Sequence, residues 1–287
     1  MKNLNYVLVL FFFTFCLVSC GNRKDKKDEN KEEAKVQADT TVTQKTEAEE
    51  LSDSPRHHEW VTLSYGDREF QAFVAYPETD EATKSVVVIH ENRGLNDWAR
   101  LFSDKLAEAG YLVIAPDLIS NTQDGKRRTT NFENPDAARD AIYALDPGQV
   151  TADLDAAFNY IKEDSASTGE VAVVGFCWGG SQTFRYATNN EEISSAHVFY
   201  GTGPEDAEAI PNISAPVYGY YGGADNRVNS TIEASEKMMK DAGKKFEYEI
   251  YEGAGHAFMR SGHQSDAEKA NKEAHDKAWT RLKDLLK

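Results

Sequence analysis

Positive charge is scarce in this chain. Its 287 residues carry 32 Lys and Arg against 48 Asp and Glu, a formal net charge of −16. Affinity for nucleic acid comes largely from Lys and Arg on phosphates, so no nucleic-acid partner is expected. Cysteine is scarcer still: Cys16 and Cys20 lie in the first twenty residues and Cys177 stands alone in the rest, which leaves no pair for a disulfide there. No spacing among the histidines and Cys177 suits a metal, so no metal is expected. No period of 20 to 50 residues repeats, which argues against a solenoid. The one long apolar run, residues 6–15, is too short for a spanning helix. What remains is 40% hydrophobic residues, enough for a core, on a length that allows one large domain or two small ones.

The opening segment is an address. Lys2, the apolar run and Leu17-Val18-Ser19-Cys20-Gly21 read as a signal peptide over residues 1–19. The tetrapeptide resembles the lipobox of bacterial lipoproteins, which implies cleavage before Cys20 and lipidation of that cysteine. An ordinary secretory signal with a chance cysteine is the alternative. Two or three acyl chains hold a protein on a membrane where one does not, since each buried CH₂ contributes about 0.8 kcal/mol. Gly21, where aspartate is absent, points to the outer membrane in a Gram-negative cell. The expected location is therefore extracytoplasmic, with the membrane contacted through the lipid anchor alone.

From residue 20 to 55 large apolar side chains are almost missing, so the segment cannot offset its ordering entropy and reads as a disordered tether. Residues 56–287 then form one domain, with 24 basic against 38 acidic residues. A lone thiol outside the cytoplasm is either buried and inert or kept for its chemistry.

Within that domain, residues 60–65 and 69–75 alternate around Gly66-Asp67 as a hairpin. Apolar runs at 85–90, 111–115, 171–174, 196–200, 216–221 and 246–251 then alternate with helical stretches, among them 98–109, one from Trp178, and 232–242. In the last helix Ala267, Ala270, Ala274, Ala278, Leu282 and Leu285 form one buried stripe. Strands apolar throughout and separated by helices predict a mostly parallel, doubly wound α/β sheet, with functional residues at the strands' carboxyl ends. Segment 118–149, with a helix start at Asn134-Pro135, is expected to form a partial lid on that side.

Three such strand ends carry chemistry. Gly175-Phe-Cys177-Trp-Gly-Gly180 has the G-x-nucleophile-x-G form of a nucleophile elbow, which lifts the thiol above the sheet at a helix amino terminus. A packed core cysteine is the bland alternative. Asp225 follows the run at 216–221 and His256 follows that at 246–251, giving the order nucleophile, acid, histidine. Cys177 would attack a carbonyl, His256 move the proton and Asp225 fix the imidazole tautomer. Glu91 ends the first core strand, as a second proton acceptor or as a salt-bridge partner of Arg93. The N–H groups of Trp178 and Asn92 are the expected oxyanion hole. Of the other histidines, His57 and His58 mark the tether junction, His197 lies in a strand, and His263 and His275 are expected to be exposed.

His-Glu-Asn-Arg-Gly at 90–94, Gly-Phe-Cys-Trp-Gly-Gly at 175–180, Ala-Asp at 224–225 and Gly-His-Ala-Phe at 255–258 together resemble the dienelactone hydrolase (carboxymethylenebutenolidase) family, over about residues 58–287. The resemblance implies an α/β-hydrolase fold, no cofactor, a Cys-Asp-His triad and hydrolysis of a lactone ester through an acyl-cysteine. For Glu91 it implies a carboxylate that pairs with the resting thiol and takes its proton when substrate binds. It also implies two arginines on the substrate carboxylate. Arg260 matches the second; Asn121 stands where the first is expected, and Lys126-Arg127-Arg128 is the other source of charge nearby. The expected partner is a small ester or lactone, the expected state a monomer. Another acyl substrate such as a thioester, or a non-catalytic ligand-binding lipoprotein on the same scaffold, are the alternatives.

Overall fold

Strands that are apolar at every position must be covered on both faces, and helices cover them here. The structure is a computed structural model that describes residues 45–204 and 206–287. The signal peptide, the lipidation position Cys20 and most of the tether lie outside the described residues. In chain order the elements are α1 (Glu47–Ser52), β1 (His58–Tyr65), β2 (Arg68–Ala75), β3 (Thr83–Ile89), α2 (Asp97–Glu108), β4 (Leu112–Pro116), α3 (Pro135–Tyr143), α4 (Pro147–Glu163), β5 (Ser167–Phe176), α5 (Trp178–Ala187), β6 (Ala196–Phe199), β7 (Val217–Gly222), α6 (Asn226–Asn229), α7 (Ile232–Asp241), β8 (Phe246–Tyr251), α8 (Phe258–Ser261) and α9 (Lys269–Leu286).

The eight strands form one sheet in the order β1-β2-β4-β3-β5-β6-β7-β8. β1 and β2 form the hairpin expected around Gly66-Asp67, and β2 pairs antiparallel with β4. Every pairing from β4 to β8 is parallel. This is the α/β-hydrolase fold. Alternation within each strand splits the core in two. Val86, Val88, Val113, Val174 and Phe176 face α2 and α9, whereas Val87, Ile89, Ile114, Val171 and Val173 face α4 and α5.

The helix ends follow local chemistry. Asn134 caps α3 by accepting from the N–H groups of Asp136 and Ala137, with Pro135 at the first position. Such a cap contributes about 1 kcal/mol.

Two sequence expectations are corrected. The folded domain begins upstream of residue 56: α1 packs on α2 with Leu51 buried, and Thr46 caps it through a capping box with Glu49. Behind it Arg56, 5% exposed at its side chain, makes two hydrogen bonds to Asp104, which is 1% exposed and also touches Ser54 and His58. Burial alone would raise the Asp104 carboxyl, but His58, Arg56 and Ser54 more than reverse that and hold it well below the usual carboxylate range. In α9 the buried stripe is Ala274, Ala278, Leu282 and Leu286; Ala267 precedes the helix, and Ala270 and Leu285 are half-buried. Spacings of three and four both fit a helix face, so the pattern could not choose between Leu285 and Leu286.

Candidate active site

Cys177 sits between β5 and α5 with φ 56° and ψ −117°, a conformation a side chain adopts only under constraint. Strain of this kind amounts to about 1–3 kcal/mol and is concentrated at functional sites. Tyr200 (φ 40°) and Ala257 (φ 59°) share the left-handed region and line the same cavity as Cys177. Two glycines make the turn possible. A Cβ on Gly175 would lie 2.2 Å from the Gly179 carbonyl oxygen, and one on Gly179 would lie 2.3 Å from that of His90. The second contact sets how closely α5 approaches the loop after β3.

That approach gathers the polar groups. Ile89 of β3 and Gly175 of β5 are register partners, so Glu91 and Cys177 each stand two residues beyond one pair. The backbone N–H groups of Trp178 and Asn92 both reach the Cys177 sulfur. Burial pushes the thiol up, and the negative charge of Glu91 pushes it further. The Trp178 N–H, the Arg227 guanidinium and the Asn92 N–H oppose this without cancelling it. The resting sulfur at neutral pH is therefore a protonated thiol.

Asp225 follows β7 and caps α6, while His256 follows β8. The Gly223 N–H bonds the Tyr251 carbonyl at 2.8 Å and the Ala224 N–H bonds that of Ala254 at 2.9 Å, which ties the two loops together. Asp225 Oδ2 accepts from His256 Nδ1 at 2.5 Å, and Asp225 Oδ1 takes the Val228 N–H at 3.4 Å. With Nδ1 donating to the carboxylate, Nε2 is left as the proton acceptor. His256 lines the same cavity as Cys177, of about 550 Å³. The three residues expected to act together are brought to one place.

Glu91 departs from expectation. Its side chain is buried; Oε2 accepts from Arg260 Nε at 3.0 Å and Oε1 from the Tyr200 hydroxyl at 3.3 Å. Glu91 therefore pairs neither with the resting thiol nor with Arg93, which is exposed. It acts on the thiol through space, and the substrate-binding candidate Arg260 already holds a carboxylate of the protein.

The basic loop also departs. Asn121 adopts φ 54° and donates from Nδ2 to the Glu69 carbonyl at 3.1 Å. Lys126 pairs with Glu133, and the Arg128 guanidinium stacks 3.9 Å from the Trp60 ring centroid. None of Asn121, Lys126, Arg127 and Arg128 lines the cavity. Segment 118–149 reaches it through Tyr143, whose hydroxyl accepts from Asn92 Nδ2 at 3.3 Å.

Several supports carried no legible signal. His90 is buried; it donates from Nδ1 to the Glu91 carbonyl at 2.8 Å, accepts the Leu118 N–H at Nε2, and stacks on Trp178. Burial brings it down to about 4, so it is neutral. Thr129 donates its N–H and hydroxyl to Asp117 at 2.6 and 2.7 Å, and its Oγ1 accepts the Leu95 N–H at 2.9 Å. These groups pin the loop that carries Glu91 and Asn92. His263 and His275, expected to be exposed, are half-buried, with His263 3.3 Å from Glu50 of α1. Among the described residues no group of three His, Cys, Asp or Glu is placed to hold a metal ion. No described helix is long and apolar enough to cross a membrane.

Comparison with known proteins agrees with this architecture. Residues 70–287 match the model of the dienelactone hydrolase family. A protein of Saccharolobus solfataricus named as a carboxymethylenebutenolidase is 31% identical over 247 residues, covering 76% of this chain and 93% of its own. One of Methylorubrum extorquens with the same name is 29% identical over 238 residues, 79% of each chain. A crystal structure from Klebsiella pneumoniae subsp. pneumoniae, named as a dienelactone hydrolase, superposes with a TM-score of 0.70 at 24% identity, covering 80% of this chain and 98% of its own.

Proposed function

The chain belongs to the dienelactone hydrolase family, and on that premise we propose that it hydrolyses small carboxylic esters or lactones through an acyl-cysteine intermediate. The observation that carries this reading is the convergence, in one cavity, of a thiol with two backbone N–H donors and a histidine already oriented by a buried aspartate. Each part answers a need of acyl transfer: a nucleophile, a proton carrier and a place for the oxyanion.

The resting thiol is protonated, so a base must act when substrate arrives. Substrate entering the cavity displaces Glu91 from Arg260, and the freed carboxylate takes the sulfur's proton. The thiolate adds to the ester carbonyl, and the carbonyl oxygen becomes an oxyanion held by the Trp178 and Asn92 N–H groups. Collapse of this intermediate breaks the C–O bond of the ester, and the departing oxygen takes the proton that Glu91 received from the sulfur. His256 then removes a proton from water, whose oxygen attacks the acyl-cysteine. Collapse of that adduct breaks the C–S bond, the acid leaves, and His256 returns its proton to the sulfur. Asp225 keeps Nδ1 protonated throughout, so that Nε2 is the atom that accepts.

The direct test is hydrolysis of p-nitrophenyl acetate by wild type and Cys177→Ala, with iodoacetamide as a second arm. Loss of turnover in both is expected; a Cys177→Ala protein as active as wild type refutes the nucleophile. For the amino terminus, the Leu17-Val18-Ser19-Cys20 tetrapeptide supports a lipid anchor at Cys20. Growth on labelled palmitate should label the wild type and not Cys20→Ser, and an unlabelled wild type refutes the anchor.

A further inference from the structure

His256 stands in a loop rather than on a strand or helix: it follows β8, and the left-handed residues Gly253 (φ 72°) and Ala257 (φ 59°) bracket it. Asp225 fixes the imidazole's tautomer through Nδ1, but a bond to a ring nitrogen does not hold the backbone that brings the ring there. That backbone is tied on one side by the Ala224 N–H, which donates to the Ala254 carbonyl at 2.9 Å. On the other side the Gly255 N–H donates to Asn271 Oδ1 at 2.9 Å.

Asn271 lies in the first turn of α9, an 18-residue helix whose buried stripe anchors it to the core. The same turn lies against the chain on both flanks of His256. A Cβ on Gly253 would stand 3.3 Å from that of Ala270, and one on Gly262, just past α8, would stand 2.4 Å from the Asn271 carbonyl oxygen. The acceptor for Gly255 thus comes from a side chain on a rigid element sixteen residues away. Support of this kind is what holds a reacting group to within about 0.5 Å of its working position.

We propose that Asn271 is a positioning residue for the hydrolytic half of the reaction: by holding the Gly255 N–H it sets His256 to take the proton of the water that attacks the acyl-cysteine. The inference rests on the ester hydrolase reading above and adds a residue outside the cavity on which its second step depends. Acylation does not depend on it, because Glu91 and not His256 takes the proton of the thiol. Oδ1 supplies an acceptor alone, so aspartate can replace it, and a carboxylate in the first turn of a helix is favoured by the dipole. Alanine cannot accept, and as the best helix former it leaves α9 intact.

The experiment follows p-nitrophenol release from p-nitrophenyl acetate by stopped flow, with wild type, Asn271→Ala and Asn271→Asp, beside their thermal midpoints. In Asn271→Ala the steady-state rate should fall on the order of a hundredfold, the loss that a misplacement of about 1 Å produces. A burst at the wild-type acylation rate should precede it, with acyl-Cys177 accumulating. Asn271→Asp should recover most of the steady-state rate. An Asn271→Ala protein as fast as wild type overturns the proposal, as does a variant whose acylation and steady state fall together, or an Asn271→Asp no faster than Asn271→Ala. Should Asn271→Ala not fold, Asn271→Gln, which shifts the acceptor by one methylene, takes its place with the same expectations. If wild type forms no acyl-cysteine, the hydrolase reading fails on its own account, and crystal structures decide this one. His256 Nδ1 should then lie within hydrogen-bond distance of Asp225 in wild type and Asn271→Asp, and away from it in Asn271→Ala; an unmoved imidazole overturns it.

Discussion

Glu91 Oε2 accepts a hydrogen bond from Arg260 Nε at 3.0 Å, so the carboxylate whose charge adds to burial in pushing the Cys177 thiol up is itself held by a cation of the same cavity. Two opposite effects follow from removing that charge. In Glu91→Gln the thiol loses the nearby charge that holds it up, and iodoacetamide should alkylate the free protein faster at neutral pH than wild type. Hydrolysis of an anionic ester should nevertheless slow by about a hundredfold, the contribution of a positioned proton acceptor. A merely structural Glu91 would slow both, which the pair of measurements detects.

Asp225→Asn keeps the size of the side chain but no longer favours the His256 tautomer with hydrogen on Nδ1. Turnover should fall on the order of 10⁴-fold while the melting temperature stays close to wild type. Stopped kinetics beside an unchanged thermal midpoint separates this outcome from unfolding.

The pair of Arg56 and Asp104 tests where the domain begins. Both side chains are buried, so Arg56→Ala takes the guanidinium from a buried carboxylate and leaves it only Ser54 and His58, and urea unfolding of residues 45–287 should show a loss of about 3 kcal/mol at neutral pH. The Asp104 carboxyl lies below its unfolded value of about 3.9, so the stability it contributes is present above that pH and is lost as pH falls through the depressed value. The deficit should accordingly be as large at pH 5 as at pH 8. A neutral Arg56→Ala would mean that the segment before β1 is dispensable.

Asp117 has the opposite sign. Burial pushes its carboxyl up to about 6, despite the Thr129 N–H and hydroxyl that pull it down. Its protonated form therefore favours the folded state, a contribution complete below pH 4 and lost as pH rises through 6. Relative to wild type, Asp117→Asn should gain on the order of 2 kcal/mol of stability between pH 4 and pH 8. A constant difference across that range would show that Asp117 titrates normally.

The sheet was legible because its inner parallel strands are continuous apolar runs, while edge strand β8 alternates with Glu247 and Glu249, and strand ends pointed to Cys177, Asp225 and His256 without any structure. Short, charged elements were not. α1 is acidic, six residues long and buries only Leu51, so its composition is that of a tether; its docking depends on α2, which no local pattern reveals. The partner of Glu91 was hidden for a similar reason: Arg260 is 169 residues away, while Arg93 is a sequence neighbour that the turn leaves exposed. Nothing in the sequence marks Arg227, which the one-turn helix α6 sets at the cavity. Asn121 held the place of an expected arginine in the sequence, but its left-handed backbone and its bond to Glu69 keep it at the rim of a turn outside the cavity.

The central claim is that the Cys177 sulfur carries the acyl group. Mixing the protein with p-nitrophenyl acetate, quenching in acid within the first turnover and mapping the peptides by mass spectrometry reads this directly. The account predicts one acetyl group on the peptide containing Cys177, absent from Cys177→Ala. Acetylation at another side chain, or turnover by wild type with no acyl-enzyme while Cys177→Ala remains active, would contradict it.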